Sequence, residues 1–353
     1  MDYFRFYEAT ARTIKEFCPR LLVGGPASSG SKWIDLFVDY CEKHQVPVDF
    51  VSTHQYVGEP FIGVKEEEEQ ISAEEKKAAE EKLRAYQKEF LEKLPADTPI
   101  LSCLHQMFGG NDGTQRKDLD ADLLPKNARI VRKMAKGLPV FYTEWNMSAS
   151  FGAYSQDTRK VAAYDMRTSL AIEDLVDGDS IWCYSDIFEE LHQFKEPFHG
   201  GYGMMTYHGI PKPVYHGMRM LAQAQENRIL LDESQFTQVE AAAFEGEDEL
   251  QVLLFRQNLY QSDEEKENVC VHVQLPQAPR RVYVQRIDET HCNPLKIWEE
   301  MGKPNDLTRS EVSYIMTASR MMDEEWKGTY ENGIWTTEAA LGVNDIYFIR
   351  IEK

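Results

Sequence analysis

The segment LLVGGPASSGSKWIDLFVDYCEKHQVPVDFVSTHQY, from Leu21 to Tyr56, decides the fold class of this chain. Short apolar runs at both of its ends indicate buried strands, and apolar residues between them recur at helical spacing. A strand, a helix and a second strand at such short distances are typical of βα units around a parallel sheet. The sequence therefore predicts an α/β protein.

The same alternation continues along the chain. Four strands are predicted near Val23, Phe50, Phe141 and Trp182, and helical patterns lie before, between and after them. Four βα units are half of an eightfold (β/α)8 TIM barrel.

The pattern changes near Ile229. From there on, short stretches such as ELQVLLFRQN, VCVHVQLP and DIYFIRIEK alternate apolar and polar residues and are separated by turns. Such alternation is typical of an antiparallel, all-β sandwich. We therefore expect a partial barrel domain over residues 1–228 and a β-sandwich domain over residues 229–353.

A charged segment interrupts the βα pattern at residues 65–94. It carries a narrow apolar stripe with Leu83, Tyr86 and Phe90 among acids and bases at helical pairing distance. Two interpretations stay open for this acidic helical insertion. It is either a solvated helix docked through one stripe or a helix that binds a partner.

The formal net charge of −20 over 353 residues disfavours two classes of partner. Nucleic acid and an anionic membrane surface would both be repelled by such a protein. A neutral or cationic small molecule, or an uncharged sugar, fits better. The N-terminal residues contain no apolar stretch of the length that a signal peptide or a membrane span needs, so a cytoplasmic protein is expected.

Polar and aromatic side chains follow the predicted strands at their carboxyl ends, where barrel enzymes build their active sites. They are His54, Tyr56, Glu144, Asn146, Trp182, Tyr184, Asp186, Glu189 and Glu190, with Phe198, His199 and Tyr202 from the stretch FHGGYGMM. Aromatic rings pack on sugars and carboxylates accept hydrogen bonds from hydroxyl groups. The set predicts a carbohydrate pocket, and Glu144 is its leading candidate because an acid at the end of an apolar strand is otherwise costly to bury.

A metal site is the competing interpretation. His54, His199, His208 and His216 have acids near them in sequence, but none has the His-x-x-x-His spacing of a known zinc site. We therefore expect neither a metal nor another cofactor.

Several motifs, in order, resemble the β-xylosidases of glycoside hydrolase family 39. They are YFRFYEATARTIKE, LLVGGPA, VPVDFVSTHQY, FYTEWNMS, SDIFEE, FHGGYGM and IPKPVYHGMRML, with VQRIDETHCNPLKIWEEMG in the β-rich part. The resemblance runs from about Asp2 to the C-terminus, interrupted mainly by the charged segment.

This resemblance implies a retaining glycosidase whose four strands are strands five to eight of the barrel. Glu144 corresponds to the nucleophile, and His54, Tyr56, Trp182, Glu189 and Glu190 correspond to sugar-binding positions. The substrate implied is a β-xyloside or a related oligosaccharide.

One part of the family pattern is missing. The general acid/base of the family is the Glu of an Asn-Glu-Pro motif, and no Asn-Glu-Pro occurs in these 353 residues. Three interpretations stay open: a truncated xylosidase, one part of a split enzyme completed by a chain that carries the first half barrel, or a non-catalytic carbohydrate-binding or assembly protein that closes its sheet edges as a homo-oligomer.

Overall fold

The structure, a computed structural model, describes residues 2–59, 61–62, 119–148, 154–187, 196–260 and 265–353. The helical insertion predicted at residues 65–94 lies outside this part of the chain, as do Glu189 and Glu190. Within these ranges, no helix combines the length and the apolar character needed to cross a membrane. The cytoplasmic location stays a prediction.

The N-terminal part alternates helices and strands, as the sequence predicts. Its elements are α1 (Asp2–Phe17), β1 (Gly24–Ser28), α2 (Ile34–His44), β2 (Phe50–Tyr56), α3 (Leu123–Met134), β3 (Val140–Asn146), α4 (Arg159–Ile172), β4 (Gly178–Ile181) and α5 (Pro213–Leu221). The four strands form one parallel sheet in the order β1-β2-β3-β4. The predicted α/β architecture is confirmed.

Strand β1 begins at Gly24, three residues later than Leu21, where the sequence places its start. The backbone N–H of Val23 donates to the Asp49 carboxylate at 2.7 Å, and Leu21 and Leu22 are exposed. A Cβ atom at Gly24 would lie 2.4 Å from the carbonyl oxygen of Phe50. Glycine is therefore required where β1 approaches β2.

Antiparallel strands follow, as predicted. They are β5 (Asn227–Ile229), β6 (Glu240–Glu245), β7 (Glu249–Phe255), β8 (Glu267–Gln274), β9 (Arg281–Ile287), β10 (Glu324–Glu325), β11 (Thr329–Glu331), β12 (Ile334–Leu341) and β13 (Ile346–Glu352), with α6 (Pro294–Glu300) and α7 (Arg309–Ala318) between them. In the described part of the chain, one sheet has the order β10-β9-β13-β7-β6-β5 and the other β11-β12-β8. The domain boundary at residues 228 and 229 stays a prediction.

The larger antiparallel sheet is buried on both of its faces. On β7, Val252 and Leu254 join a cluster that includes Trp335 of the smaller sheet, which fills the space between the two sheets. The alternate residues Leu253 and Phe255 join the core beneath the parallel sheet and its helices. Two buried faces explain the continuous apolar run of this strand, since successive side chains of a strand point to opposite faces.

Candidate active site

Strands β2 and β3 end side by side and bring the main candidate residues together. In the register of this parallel pair, His54 lies opposite Glu144 and Tyr56 lies opposite Asn146. The carboxyl ends of parallel strands meet at one edge of a sheet, so this clustering follows from the topology. The sequence-based grouping of these residues agrees with the geometry.

The Glu144 carboxylate is held by two side chains of β2. The Tyr56 hydroxyl donates a hydrogen bond to Oε1, and Nδ1 of His54 lies 3.3 Å from Oε2. About a quarter of the side chains of His54 and Glu144 is exposed, 25% and 24%. Burial, and next the bond to Glu144, raise the pKa of Tyr56. Glu144 is thus oriented by its neighbours while it remains open to a ligand.

Trp182 lies directly beside the end of β3. Its backbone N–H donates to the carbonyl oxygen of Trp145 at 2.9 Å, and its own carbonyl oxygen accepts from Nδ2 of Asn146 at 2.6 Å. The Trp182–Cys183 peptide bond is cis. Trp182 is half-buried, and the two hydrogen bonds place its backbone beside Trp145 and Asn146, the two residues that follow Glu144.

Trp145, between Glu144 and Asn146, is fully buried and donates from Nε1 to Asp179 at 2.8 Å. Successive side chains of a strand point to opposite faces, so Glu144 faces away from this contact. Trp145 therefore belongs to the core, and the candidate site lies on the other face of β3.

Glu59 is a second carboxylate at the same edge, which sequence reasoning missed. It accepts hydrogen bonds from the backbone N–H of Tyr56 at 2.7 Å, from Nε2 of Gln55 at 3.1 Å and from the Ser29 hydroxyl. Three donors occupy its two oxygens, so Glu59 ties the loop after β2 to β1. An acid three residues beyond a strand looks like any solvated loop acid in sequence.

The structure does not bring every candidate to the pocket. Phe198 is fully buried against Trp298 in a separate apolar cluster, with ring centroids 5.5 Å apart. Asp186 is also buried, and it pairs with Lys212 at 2.8 Å. Tyr184 is 66% exposed. Phe198 and Asp186 are therefore interior residues, the one packed against an aromatic ring and the other paired with a lysine.

Lys212 and Asp157, which sequence reasoning also missed, form a buried ionic cluster with Asp186. Nζ of Lys212 lies 2.7 Å from Oδ1 of Asp157, and both side chains are fully buried. Burial raises the pKa of the Asp186 carboxyl group, and the positive charge of Lys212, which lowers it, offsets this only in part. The signal in sequence is the lysine between two prolines in IPKPVY, a position where a solvated side chain is the ordinary expectation.

The structure describes all four histidines of the metal interpretation, His54, His199, His208 and His216. Among the described residues, no group of three or more His, Cys, Asp or Glu side chains is arranged to hold a metal ion. His216 lies in α5, and burial together with the nearby Arg219 lowers its pKa to about 4. Nδ1 of His199 donates a hydrogen bond to the carbonyl oxygen of Glu196 at 2.9 Å.

The sequence profile described as glycosyl hydrolases family 39 matches residues 1–103 and 113–334. This chain belongs to glycosyl hydrolase family 39. The resemblance of its motifs to this family is thereby confirmed.

Two relatives in family 39 carry the name beta-xylosidase. The protein from Caldicellulosiruptor saccharolyticus is 32% identical over 326 residues, which are 92% of this chain and 58% of the relative. The protein from Geobacillus stearothermophilus is 29% identical over 358 residues, 100% of this chain and 62% of the relative. The chain thus spans less than two thirds of the length of either relative.

Solved structures show the same fold. The GH39 enzyme from Xanthomonas axonopodis pv. citri superposes with a TM-score of 0.73 at 23% identity, covering 99% of this chain and 64% of the other. A monomeric beta-xylosidase from Caulobacter crescentus CB15 gives 0.71 at 24% identity, covering 99% and 65%. At these identities the superpositions establish the fold only.

Proposed function

We propose that this chain carries the nucleophile side of a retaining β-xylosidase active site. The observation that carries the proposal is the oriented, accessible carboxylate of Glu144 at the end of β3. Membership of family 39 and two relatives named beta-xylosidase support it.

In this mechanism Glu144 attacks the anomeric carbon of a β-xyloside from the face opposite the leaving group. The bond to the leaving oxygen breaks as the bond to Glu144 forms, and water then hydrolyses the glycosyl-enzyme. Tyr56 and His54 hold the carboxylate in the attacking orientation. Trp182 forms an aromatic wall against the sugar ring, and Glu189 and Glu190 remain proposed sugar contacts outside the described residues.

Retaining chemistry needs a second carboxyl group about 5 Å from the first, as acid and then base. No Asn-Glu-Pro motif occurs in the 353 residues, and the oxygens of Glu59 are occupied by three donors. We propose that the acid comes from polypeptide beyond this sequence, either a longer form of the protein or a partner chain.

The polypeptide that supplies the acid, whether in a longer form of the protein or in a partner chain, would also extend the parallel sheet. We propose that β1 to β4 are strands five to eight of a (β/α)8 barrel within residues 1–228, followed by a β-sandwich domain at 229–353. Large apolar side chains of α1 and of the segments beside β1 are exposed, as an unfilled barrel edge requires: Phe6, Phe17, Leu22, Trp33 and Leu36. The missing βα units would pair with the free edge of β1 and pack over these side chains.

The test is covalent trapping. A 2,4-dinitrophenyl 2-deoxy-2-fluoro-β-xyloside has a leaving group that needs no acid, and mass spectrometry of the intact chain and its peptides locates the adduct. We expect one fluoroxylosyl group on Glu144. Lack of the acid lowers turnover of ordinary xylosides about 10²- to 10⁴-fold, so the trap reports on the nucleophile alone.

Two variants serve as controls for the labelling experiment. Glu144→Gln should take up no label, and Glu338→Gln, at an exposed position of strand β12, should label like the wild type. Sugar binding without any adduct would overturn the nucleophile assignment and favour the non-catalytic carbohydrate-binding alternative. Labelling on another residue would contradict the role of Glu144 directly.

A further inference from the structure

Lys212 is a fully buried lysine whose ammonium group is enclosed by three oxygens. Nζ lies 2.7 Å from Oδ1 of Asp157 and 2.8 Å from Oδ2 of Asp186, and it donates to the carbonyl oxygen of Gly201 at 3.0 Å. The side chains of all three charged residues are 0% exposed. Charges at such depth persist only when they are paired, and removing one partner leaves the others uncompensated.

The two carboxylates use their other oxygens to hold the glycine-rich loop. Oδ2 of Asp157 accepts from the backbone N–H of Gly200 at 2.6 Å, and Oδ1 of Asp186 accepts from that of Gly203 at 2.8 Å. A Cβ atom at Gly201 would lie 2.4 Å from Oδ1 of Asp186, and one at Gly203 would lie 2.2 Å from the Asp186 nitrogen. The loop therefore lies directly on the cluster, and glycines permit this approach.

The loop in turn is hydrogen-bonded to the segment that follows β4. The carbonyl oxygen of Tyr202 accepts from the N–H of Cys183 at 3.0 Å, and the Met204 N–H donates to the Cys183 carbonyl oxygen at 2.9 Å. Tyr202 is half-buried and lies near Tyr56. Cys183 lies near Glu144. Tyr202 stands between Gly201 and Gly203, so the loop brings a large side chain to this neighbourhood.

We propose that Lys212, Asp157 and Asp186 form a positioning cluster that sets Tyr202 against Glu144, and that Tyr202 contacts the sugar. This inference rests on the proposed glycosidase function. The cluster acts through the loop, because its own side chains are closed to solvent and cannot reach a ligand. Tyr202 supplies an aromatic face, which suits the apolar face of a pyranose ring.

The first test is hydrogen exchange, which needs no activity. In Lys212→Met, exchange of peptides covering residues 182–187 and 198–206 should rise about 10-fold or more through local opening, with β7 and β13 unchanged. Lys136→Met is the matched control, because Lys136 also bridges two carboxylates, Asp39 at 2.8 Å and Glu42 at 2.7 Å, on the surface. Unchanged exchange of the loop in Lys212→Met would overturn the proposal.

A milder substitution in the same cluster provides a test in case Lys212→Met does not fold. Asp186→Asn keeps an oxygen to accept from Gly203 and removes one charge of the cluster. We expect a smaller rise of exchange over the same two peptides. A rise spread evenly over the whole chain would mean general destabilisation and would count against positioning.

The second test is a double-mutant cycle on hydrolysis of a dinitrophenyl β-xyloside. Lys212→Met should lower kcat/KM about 100-fold, the order expected for a misplaced binding group. Tyr202→Ala should have little further effect in the Lys212→Met background, whereas additive effects would show that Lys212 does not act through Tyr202. A wild-type chain with neither turnover nor sugar binding would overturn the proposed function, while the exchange result would still decide whether the cluster positions the loop.

Discussion

Tyr56 donates a hydrogen bond from its hydroxyl to Oε1 of Glu144, between residues that are 88 positions apart in the chain. The bond crosses from β2 to β3, and His54 faces the other carboxylate oxygen from the same strand. Burial and then Glu144 raise the pKa of Tyr56, so its hydroxyl keeps its proton and remains a donor. Strand β2 thus determines how the Glu144 carboxylate is presented.

Replacement of Tyr56 by Phe should therefore impair catalysis more than folding. Hydrogen bonds to charged groups contribute about 1.5–3 kcal/mol, which corresponds to a loss of about 10- to 100-fold in the labelling rate of Glu144. The measurement is the second-order rate of fluoroxylosyl trapping. Tyr40→Phe is the control, because Tyr40 also donates to a glutamate, Glu8, at 2.7 Å but far from the site. Equal rates in both variants would contradict an orienting role for Tyr56.

Asp165 in α4 should make the protein less stable as the pH rises. It is fully buried, and neither of its carboxyl oxygens has a hydrogen-bond partner among the described residues. Burial, and next the charge of Asp179, raise its pKa well above the ordinary range. The fold therefore favours the protonated acid, and this contribution is present at low pH and lost as the pH rises through the raised pKa.

Asp165→Asn should remove this dependence. We expect similar free energies of unfolding for the variant and the wild type near pH 4, and an advantage for the variant that grows by up to about 1.4 kcal/mol per pH unit above it. Urea titrations at several pH values measure this, with Asp248→Asn as an exposed control. Parallel stability curves for Asp165→Asn and the wild type would show that Asp165 is ionised in the fold.

His216 should make the protein less stable as the pH falls. It is 3% exposed, neither ring nitrogen has a hydrogen-bond partner in the described part of the chain, and its pKa is lowered to about 4, first by burial and then by Arg219. A lowered pKa gives stability that is present above the ordinary value, about 6.5, and lost as the pH falls through about 4.

The free energy of unfolding should fall less between pH 6.5 and 4 in His216→Phe than in the wild type, by a difference of about 3 kcal/mol at most. Thermal unfolding across this interval is the measurement, and His272→Phe, at an exposed position of β8, is the comparison. A variant that loses stability as steeply as the wild type would assign acid unfolding to other groups.

The parallel and antiparallel sheets should unfold together. Leu253 is fully buried in the core that β7 shares with the parallel sheet and its helices, whereas Val252 faces the smaller antiparallel sheet. Leu253→Ala should cost about 2–5 kcal/mol and should lower a single calorimetric transition. Val252→Ala should lower the same transition by less. Two resolved transitions, only one of which moves, would show that the two parts unfold independently.

The sequence predicts the elements of this fold better than their ends. Apolar periodicity finds β2 and β3 because most of their side chains are buried or half-buried. Strand β1 starts later than the pattern indicates, since the Asp49 carboxylate accepts a hydrogen bond from the Val23 N–H. The same pattern groups His54, Tyr56 and Glu144 correctly, because parallel strands end at one edge.

What periodicity cannot predict is which polar residue faces a ligand. Asp186 and Glu59 are both acids beyond strand ends, yet one neutralises a buried lysine and the other accepts from backbone and side-chain donors. The partner of Asp186 lies 26 residues further along the chain, so only the folded structure brings the two together. Phe198 shows the same limit, since its packing against Trp298 depends on a contact across 100 residues.

The shared face of β7 has a consequence for how such proteins can be rearranged. Many enzymes gain sugar-binding attachments by fusion at a linker, because an independent domain can be moved to another gene without damage. Here an antiparallel sheet separated from the parallel sheet would expose Leu253, Phe255 and Phe348 to water. It is therefore one wall of the core that it shares with the parallel sheet, and we expect the two parts to be inherited together.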